Sequence, residues 1–122
     1  MQSYKLQSNP FIVPTDDGKL IEEHFGVPST KNDDISFARL VAPAGWTEPY
    51  QTPDFDEITY VIKGKKEVII DGEKIIIHPN QSMFIGKGTH VRYSNPFDEE
   101  AEYVSVCIPA FTLESAHREE TD

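Results

Sequence analysis

Three side chains of this sequence could together move a proton: the carboxylate of Glu57, the amide of Gln51 and the phenol of Tyr93. Glu57 begins one apolar run and Tyr93 lies in another, so both side chains can face a sheltered interior. An acid or base held beside an amide and a phenol can remove or deliver a proton next to a carbonyl group. Dehydration and isomerisation both require this chemistry.

The elements that must position these residues are predicted to be short strands. Apolar runs rich in Ile, Val, Tyr, Phe and Thr alternate with Gly, Pro, Asn and Asp, which is typical of strands and turns. The predicted strands cover residues 35–42, 57–63, 67–71, 74–78, 82–85, 90–94 and 102–109. Asp71-Gly72 predicts a tight hairpin. Many short strands at regular spacing favour an all-β sandwich or barrel, and only residues 113–120 leave room for a helix.

Length and composition indicate one domain, because globular domains most often have roughly 100–150 residues and this chain has 122. We divide it into an irregular and extended N-terminal arm (1–33), a barrel (34–112) and a C-terminal helical segment with an acidic tail (113–122). A net charge of −10 disfavours nucleic acid and anionic membrane partners. The sequence contains no long apolar run and no secretory signal, and its single cysteine, Cys107, fits a reducing compartment. We therefore expect a cytoplasmic protein.

Two segments of the sequence carry a family resemblance. Gly45–Gly64 reads GWTEPYQTPDFDEITYVIKG, and residues 86–95 read GKGTHVRYSN. They resemble, in the same order, the two motifs of the cupin superfamily, and the resemblance covers about residues 34–110. It implies a cupin double-stranded β-helix, the RmlC-like jelly-roll barrel, here with a short C-terminal helical segment. The chain is most similar to small, metal-depleted cupins such as the cupin domain of the ethanolamine-utilisation protein EutQ. Its ending is similar to that of metal-independent cupin dehydratases.

The resemblance also implies which positions would hold a metal ion. In cupins, two histidines and a glutamate of the first motif and one histidine of the second motif bind the metal. The corresponding residues here are Gln51, Pro53, Glu57 and Val91. Proline offers no ligand atom and glutamine a weak one. His90 lies one residue early, so strand alternation turns it away from Glu57 unless a bulge shifts the phase. We predict no tightly bound cofactor.

In the implied barrel, alternate residues of each strand face the interior. If Glu57 points inward, Tyr93 shares that interior, Gln51 faces it from the preceding segment, and Glu48 sits near the mouth. We predict Glu57 and Tyr93 as catalytic residues, since burial favours the protonated form of a carboxyl group and suits it to acid/base work. Alternatively, Glu57 pairs with Arg39 or Arg92 inside the barrel, where Arg39 is expected because it shares a strand face with bulky residues. An interior arginine could equally hold an anionic substrate. The predicted substrate-binding residues are Gln51, Glu48, Arg39 and Arg92.

Three functions remain open at this point. The first is an acid/base enzyme, of lyase, isomerase or dehydratase type, that acts on a small polar metabolite. The second is a module that binds or senses a small ligand without converting it. The third is a metal-dependent cupin that uses a divalent metal held by Glu48, Gln51, Glu57 and His90.

Three further expectations concern the surface of the molecule. We expect a homodimer, because a barrel of this size leaves apolar outer faces and edges that pairing would cover. The cluster Lys63–Lys66 is predicted to be an exposed hairpin tip. His117-Arg118, on the C-terminal segment, is predicted to be a solvated helix end, with a lid or interface group as the alternative.

Overall fold

The computed structural model describes residues 3–120, so the first two and last two residues of the predicted terminal segments lie outside the described part. The described chain consists of short strands joined by turns, with two helices of one turn each. The elements are β1 (Phe11–Ile12), β2 (Leu20–Phe25), α1 (Val27–Thr30), β3 (Ser36–Ala42), β4 (Asp56–Lys63), β5 (Lys66–Ile70), β6 (Glu73–Ile77), β7 (Ser82–Ile85), β8 (Val91–Ser94), β9 (Ala101–Ile108) and α2 (Leu113–Ala116). None of the helices in this part is long and apolar enough to cross a membrane.

The strands form two antiparallel sheets, which confirms the predicted all-β jelly roll with a short C-terminal helix. The larger sheet has the order β1-β2-β3-β9-β4-β7, and the smaller has the order β6-β5-β8. The long strand β9 lies between β3 and β4 and pairs with both along its length. Beyond β3, the strands that pair in the larger sheet are not sequence neighbours, so residues distant in the chain meet inside the barrel.

Two turns explain why the chain reverses where it does. Asp71 and Gly72 both have positive φ angles, 52° and 78°, as the predicted tight hairpin between β5 and β6 requires. Gly64, between β4 and β5, has a φ of 73°. A Cβ atom at this position would lie 2.4 Å from the carbonyl oxygen of Glu100, so only glycine fits.

The interior follows strand alternation. Glu57, Thr59 and Val61 of β4 are all buried, as are Val91 and Tyr93 of β8. One apolar cluster fills much of the space between the sheets. It comprises Leu40, Ala42, Trp46, Val61, Val68, Ile77, Ile85, Val91, Tyr93, Ala101 and Tyr103. Its members come from each of the strands β3 to β9 and, for Trp46, from the loop between β3 and β4.

Strand β3 turns its small side chains inward, and this corrects the expected position of Arg39. Ser36 and Ala42 are buried, whereas Phe37 is exposed and Arg39 is half-buried on the outer face. Arg39 pairs there with Glu22 at 3.0 Å and with Glu102 at 2.6 Å. The face with Phe37 and Arg39 was expected inside, but the inward face carries Leu40 and the small Ser36, Ala38 and Ala42, which leaves space beneath β3.

The N-terminal and C-terminal segments both become part of the barrel. Strand β2 pairs with β3, so residues predicted as an arm form a piece of the barrel wall. At the other end of the chain, Ala116 packs with Phe55 and Cys107 in a second small cluster, against which Phe111 also lies. The burial of Cys107 agrees with its expected role as a small strand residue.

Candidate functional site

A cavity of about 90 Å³ lies between the two sheets, with room for about six water-sized groups. Its wall combines apolar side chains with an unusual number of ionisable ones. The ionisable groups are Lys19, Glu23, Glu48, Glu57, Lys66, Tyr93, Tyr103, Cys107 and Arg118. The small side chains that β3 turns inward contribute another part of the wall.

Glu57 and Tyr93 meet inside this cavity. Both side chains are buried, and the hydroxyl of Tyr93 donates a hydrogen bond of 3.2 Å to Oε1 of Glu57. Burial, together with the neighbouring carboxylate of Glu57, raises the pKa of Tyr93 well above its usual value, so the phenol keeps its proton. The inward carboxylate and its phenol partner lie where the sequence predicted them.

Lys66 is the first group that the sequence interpretation missed. It begins β5, is only 2% exposed, and its ammonium group donates a hydrogen bond of 3.0 Å to Oγ1 of Thr59. The Nζ atom also lies 4.0 Å from the ring centroid of Tyr103 and 4.2 Å from that of Tyr93. Burial lowers the pKa of Lys66 to about 8, with the charge of Glu57 opposing this effect. The expected exposed hairpin tip is therefore wrong for Lys66.

Lys19 is the second missed group. It precedes β2, is 8% exposed, and places its Nζ atom 4.0 Å from the ring centroid of Trp46. The carboxylate of Glu48 lies 3.9 Å away, beyond hydrogen-bonding distance. Burial lowers the pKa of Lys19, against the opposing charge of Glu48. Trp46 is itself buried and donates a hydrogen bond of 2.7 Å to Asp17.

The C-terminal segment brings Arg118 to the edge of the cavity. Nη2 of Arg118 lies 3.2 Å from Oε2 of Glu48, and its Nε donates a hydrogen bond of 3.1 Å to Oε1 of Gln51. Glu48 and Gln51 are both buried at this edge. His117 and Arg118 follow α2 and remain exposed, as predicted for a solvated helix end, but the guanidinium of Arg118 also reaches Glu48 and Gln51 because the chain after α2 folds back onto the barrel.

Arg92 and His90 lie away from the cavity. Arg92 alternates with the inward Val91 and Tyr93, and its Nε donates to Oγ1 of Thr47 and to the carbonyl oxygen of Glu48. The exposed ring of His90 stacks on Tyr50, and its Nε2 lies 2.9 Å from Glu119. Within residues 3–120, no arginine forms an ion pair with Glu57. Of the predicted site residues, the structure brings together Glu57, Tyr93, Gln51 and Glu48.

Comparison with known proteins decides the family. The family model described as "Cupin domain" matches residues 39–107, which is more than half of the chain. This chain is a cupin. The match begins within β3 and ends within β9, so it covers the strands that supply Glu57, Lys66 and Tyr93.

Individual relatives share this cupin region to different extents. The chain is 41% identical over 108 residues to "Endoribonuclease YbeY" of Myxococcus xanthus, and these residues cover 88% of this chain and 37% of that protein. It is 39% identical over 59 residues to "Acetate kinase EutQ" of Clostridioides difficile, covering 48% of this chain and 36% of that protein. The chain thus spans little more than a third of the length of either relative. The solved structure of KdgF from Halomonas has a TM-score of 0.73 at 15% identity and covers 91% of this chain and 96% of that one.

The residues of this cupin do not fit a divalent metal at the usual cupin position. Of the four corresponding residues, only the Glu57 carboxylate is a strong ligand, and it already accepts a hydrogen bond from Tyr93. The amide oxygen of Gln51 accepts from Arg118. Lys66 adds a buried positive charge that acts on Glu57 and would repel a metal ion. Since His90 lies outside the cavity, the set of Glu48, Gln51, Glu57 and His90 is not assembled.

The missed lysines did leave a signal in the sequence. Lys66 alternates with Val68 and Ile70, which places it on the inner face of β5, and Lys19 likewise alternates with Ile21. Composition opposes this assignment, because lysine is almost never fully buried without a partner. At both positions, the alternation with apolar residues predicts burial more accurately than the usual exposure of lysine does.

Proposed function

We propose that this cupin is an acid/base enzyme, of lyase, isomerase or dehydratase type, that acts on a small polar metabolite inside the barrel. The observation that carries the proposal is the buried group of Glu57, Tyr93 and Lys66 beside the cavity. A carboxylate, a protonated phenol and an ammonium group supply a base and two proton donors within one sheltered site. Ionisable groups are rarely buried together unless they pair or act on a ligand.

In the proposed reaction, the carboxylate of Glu57 removes a proton from a carbon atom next to a carbonyl group. The electron pair moves onto the carbonyl oxygen, and the ammonium group of Lys66 stabilises the resulting oxyanion. Return of the proton to a different carbon atom gives an isomer, whereas loss of a leaving group from the neighbouring carbon gives dehydration or elimination. Because the pKa of Lys66 is about 8, this side chain is largely protonated at neutral pH.

The experiment that tests this proposal follows proton exchange. The protein is incubated in D₂O with a panel of small keto acids, hydroxy acids and sugars, and deuterium uptake and product formation are followed by NMR. We expect exchange with at least one member of the panel and a loss of about 100-fold or more in Glu57→Gln, as for removal of a general base. Glu102→Gln, on the outer face beside Arg39, is the matched control and should retain the rate.

Other results of that experiment would support the two alternatives. Binding without exchange or turnover would favour a ligand-binding or sensing cupin. Turnover that begins only on addition of a divalent metal would favour a metal-dependent cupin with an atypical ligand set. The arrangement of Lys66 and Arg118 favours the acid/base enzyme without a cofactor.

We further propose that the protein acts in the cytoplasm as a homodimer and binds neither nucleic acid nor membranes. Four side chains on the outer face of the larger sheet support the dimer, because they form one row across β3, β9, β4 and β7. The row consists of Phe37, Val106, Ile58 and Phe84, and Phe84 is 62% exposed. An exposed apolar row of this kind is typical of a surface that another protein covers. The net charge of −10 opposes binding to phosphate backbones and anionic lipids.

A further inference from the structure

The cavity contains two buried ammonium groups that lack a carboxylate at hydrogen-bonding distance. Among the described residues, the hydrogen bond from Lys66 goes to the neutral hydroxyl of Thr59, and Lys19 is no nearer than 3.9 Å to Glu48. An ammonium group has three donors, so Lys66 retains donors that Thr59 does not use. Buried charges are normally paired, because removing them from water is costly. Within the described chain, neither lysine therefore has a carboxylate as a hydrogen-bond partner, and the nearest, Glu48, is 3.9 Å from Lys19.

The carboxylates that line the same cavity are engaged elsewhere. Glu48 is nearer to Arg118, at 3.2 Å, than to Lys19. Glu57 accepts a hydrogen bond from Tyr93, and Glu23 accepts one from the backbone N–H of Ser29. None of these carboxylates forms a close ion pair with Lys66 within residues 3–120. The lysines and the carboxylates share a cavity, but no hydrogen bond joins a lysine to a carboxylate there among the described residues.

The hydroxyl of Tyr103 is a third unused group at this place. Tyr103 is 1% exposed and lines the cavity, and its hydroxyl has no hydrogen-bond partner in the described part of the chain. Its ring centroid lies 4.0 Å from Nζ of Lys66 and 5.5 Å from Nζ of Lys19. A buried hydroxyl without a partner destabilises the free protein, because it has lost its hydrogen bonds to water. One ligand that accepts hydrogen bonds from all three groups would satisfy them together.

We propose that the cavity binds a small organic acid, whose carboxylate is held by Lys19, Lys66 and the hydroxyl of Tyr103. This inference names the substrate class of the proposed enzyme and rests on that proposed site. The two oxygen atoms of a carboxylate can accept charge-assisted hydrogen bonds from two ammonium groups and one hydroxyl group. A cavity of about 90 Å³ suits an acid of a few carbon atoms.

The charges around the cavity favour a monoanion over phosphate. Three cations, Lys19, Lys66 and Arg118, face the same number of carboxylates: Glu23, Glu48 and Glu57. One added negative charge is balanced when a single carboxylate takes up a proton. A phosphate dianion would require two such protonations, so we expect it to bind less tightly than a carboxylate.

Trp46 provides the readout for a binding experiment. It is the only tryptophan of the chain, and Nζ of Lys19 lies 4.0 Å from its ring centroid. An anion that engages Lys19 changes the field at the indole, so tryptophan fluorescence should respond. The probes are propionate and pyruvate, with propionamide as the uncharged control and inorganic phosphate as the other anion, all at one ionic strength. Saturable changes with the two carboxylates, weaker changes with phosphate and none with propionamide are expected.

Variants identify the groups that hold the carboxylate. Lys19→Met and Lys66→Met should each weaken propionate binding by about tenfold or more, since each removes a charged hydrogen-bond donor. Tyr103→Phe should weaken binding by roughly three- to tenfold. Lys63→Met, at an exposed position of β4, is the matched control and should bind like wild type. Lys66→Met should also unfold at a higher temperature than wild type, because an incompletely paired buried charge is replaced by an apolar chain of similar length.

The outcomes separate this inference from the proposed enzymatic activity, because binding is measured without turnover. Carboxylate binding that disappears in Lys66→Met supports the anion site even if no substrate in the panel reacts. Equal responses to propionate and propionamide overturn it, as does wild-type affinity in both lysine variants. If turnover depends on Glu57 but occurs only with neutral substrates, the proposed enzymatic activity is supported. The proposal that the substrate is an organic acid is then overturned. Binding of phosphate more tightly than either carboxylate would overturn the preference for a monoanion.

Discussion

At the scale of the residue, Lys66 is the most informative side chain of this cupin. It lies inside the barrel with one neutral hydrogen-bond partner and two aromatic rings around its ammonium group. Cation–π contacts of this kind offset only part of the cost of desolvating a charge. A group that costs stability in the free protein is typical of a functional site, where binding or catalysis requires it.

This burial predicts a particular pH dependence of stability. The folded-state pKa of Lys66, about 8, lies below its usual value of 10.5, so between these values the unfolded chain binds more protons at this residue. The contribution of Lys66 to the free energy of unfolding therefore increases from about pH 8 towards pH 10.5. Lys66→Met lacks this contribution. The difference between its free energy of unfolding and that of the wild type should therefore decrease by up to about 3 kcal/mol between pH 8 and pH 10.5. Urea unfolding of both proteins at several pH values measures the difference.

Other titrating groups around Lys66 are present in both proteins, so the difference between them isolates the lysine. The charged and titratable groups that act on it are Glu57, Lys19, Glu48 and Cys107. Lys63→Met is again the control, and its difference from wild type should be constant with pH. A constant difference for Lys66→Met as well would show that Lys66 keeps an ordinary pKa in the folded protein.

At the scale of the element, the segment of residues 111–119 acts as a C-terminal strap across the cavity edge. The backbone N–H of Asp54 donates to the carbonyl of Ser115, and that of Glu119 donates to the carbonyl of Tyr50, each at 2.9 Å. His117 contacts Asp54 through its ring nitrogen. Together these contacts hold Arg118 beside Glu48 and Gln51. The strap thus contributes both a wall and a charge to the site.

Removal of the Arg118 side chain should loosen this strap. In Arg118→Ala, Glu48 and Gln51 lose their partner at the cavity edge, and the buried carboxylate of Glu48 is left with a more distant Lys19. We expect faster hydrogen exchange across residues 113–119 and a propionate dissociation rate raised about tenfold. Glu120→Gln, an exposed change two residues away, is the control and should alter neither quantity. Unchanged exchange in Arg118→Ala would mean that the backbone contacts alone hold the strap.

At the scale of the whole molecule, the larger sheet has a more continuous apolar outer face than the smaller sheet. The row of Phe37, Val106, Ile58 and Phe84 runs across four paired strands. Ile76 of the smaller sheet is exposed as well, at 40%, but its partner on β5 is Glu67, a buried polar residue that accepts a hydrogen bond from Ser94, so no apolar row continues from Ile76 across the described strands of this sheet. A continuous apolar row is more stable when another protein surface covers it than when water does, and we propose that a second copy of the chain provides this surface.

Because the two outer faces differ, a carboxylate introduced on each of them should affect the oligomeric state differently. Ile58→Glu should convert the proposed dimer to a monomer, because the new carboxylate would lie at the centre of the apolar row and meet its symmetry mate. Ile76→Glu places the same charge on an equally exposed isoleucine and should leave the dimer intact. Light scattering coupled to size-exclusion chromatography measures the mass. A monomeric wild type, or a dimer that survives Ile58→Glu, would contradict the proposed interface.

Much of the fold could be predicted from local patterns. Alternating apolar runs bounded by Gly, Pro, Asn and Asp located the strands β3 to β9 to within one residue, because such patterns depend on strand geometry alone. Strand β2 lies in the segment predicted as an irregular and extended arm. The Asp71-Gly72 hairpin was predictable because few residue pairs tolerate two positive φ angles. The inward direction of Glu57 and the outward direction of His90 followed from the two-residue period of a strand.

The lining of the cavity was less predictable, because it depends on which face of each strand is covered. Arg39 was expected inside since it shares a face with bulky residues, but the barrel needed small residues under β3. Lys66 was expected outside because lysine is usually exposed, although its alternation with Val68 indicated the interior. Arg118 reached the cavity through a fold of the chain after α2 that no local pattern encodes.

The sequence by itself determined the strands, the turns, the family resemblance and the inward carboxylate, because each depends on residues close together in the chain. Only the tertiary structure decided that Lys19, Lys66, Tyr103 and Arg118 surround one cavity. These residues come from distant segments, and their convergence results from sheet pairing and from the packing of small against large side chains. The physical reason is that a charged site depends on contacts between residues far apart in the chain. A strand depends only on the two-residue alternation within its own segment.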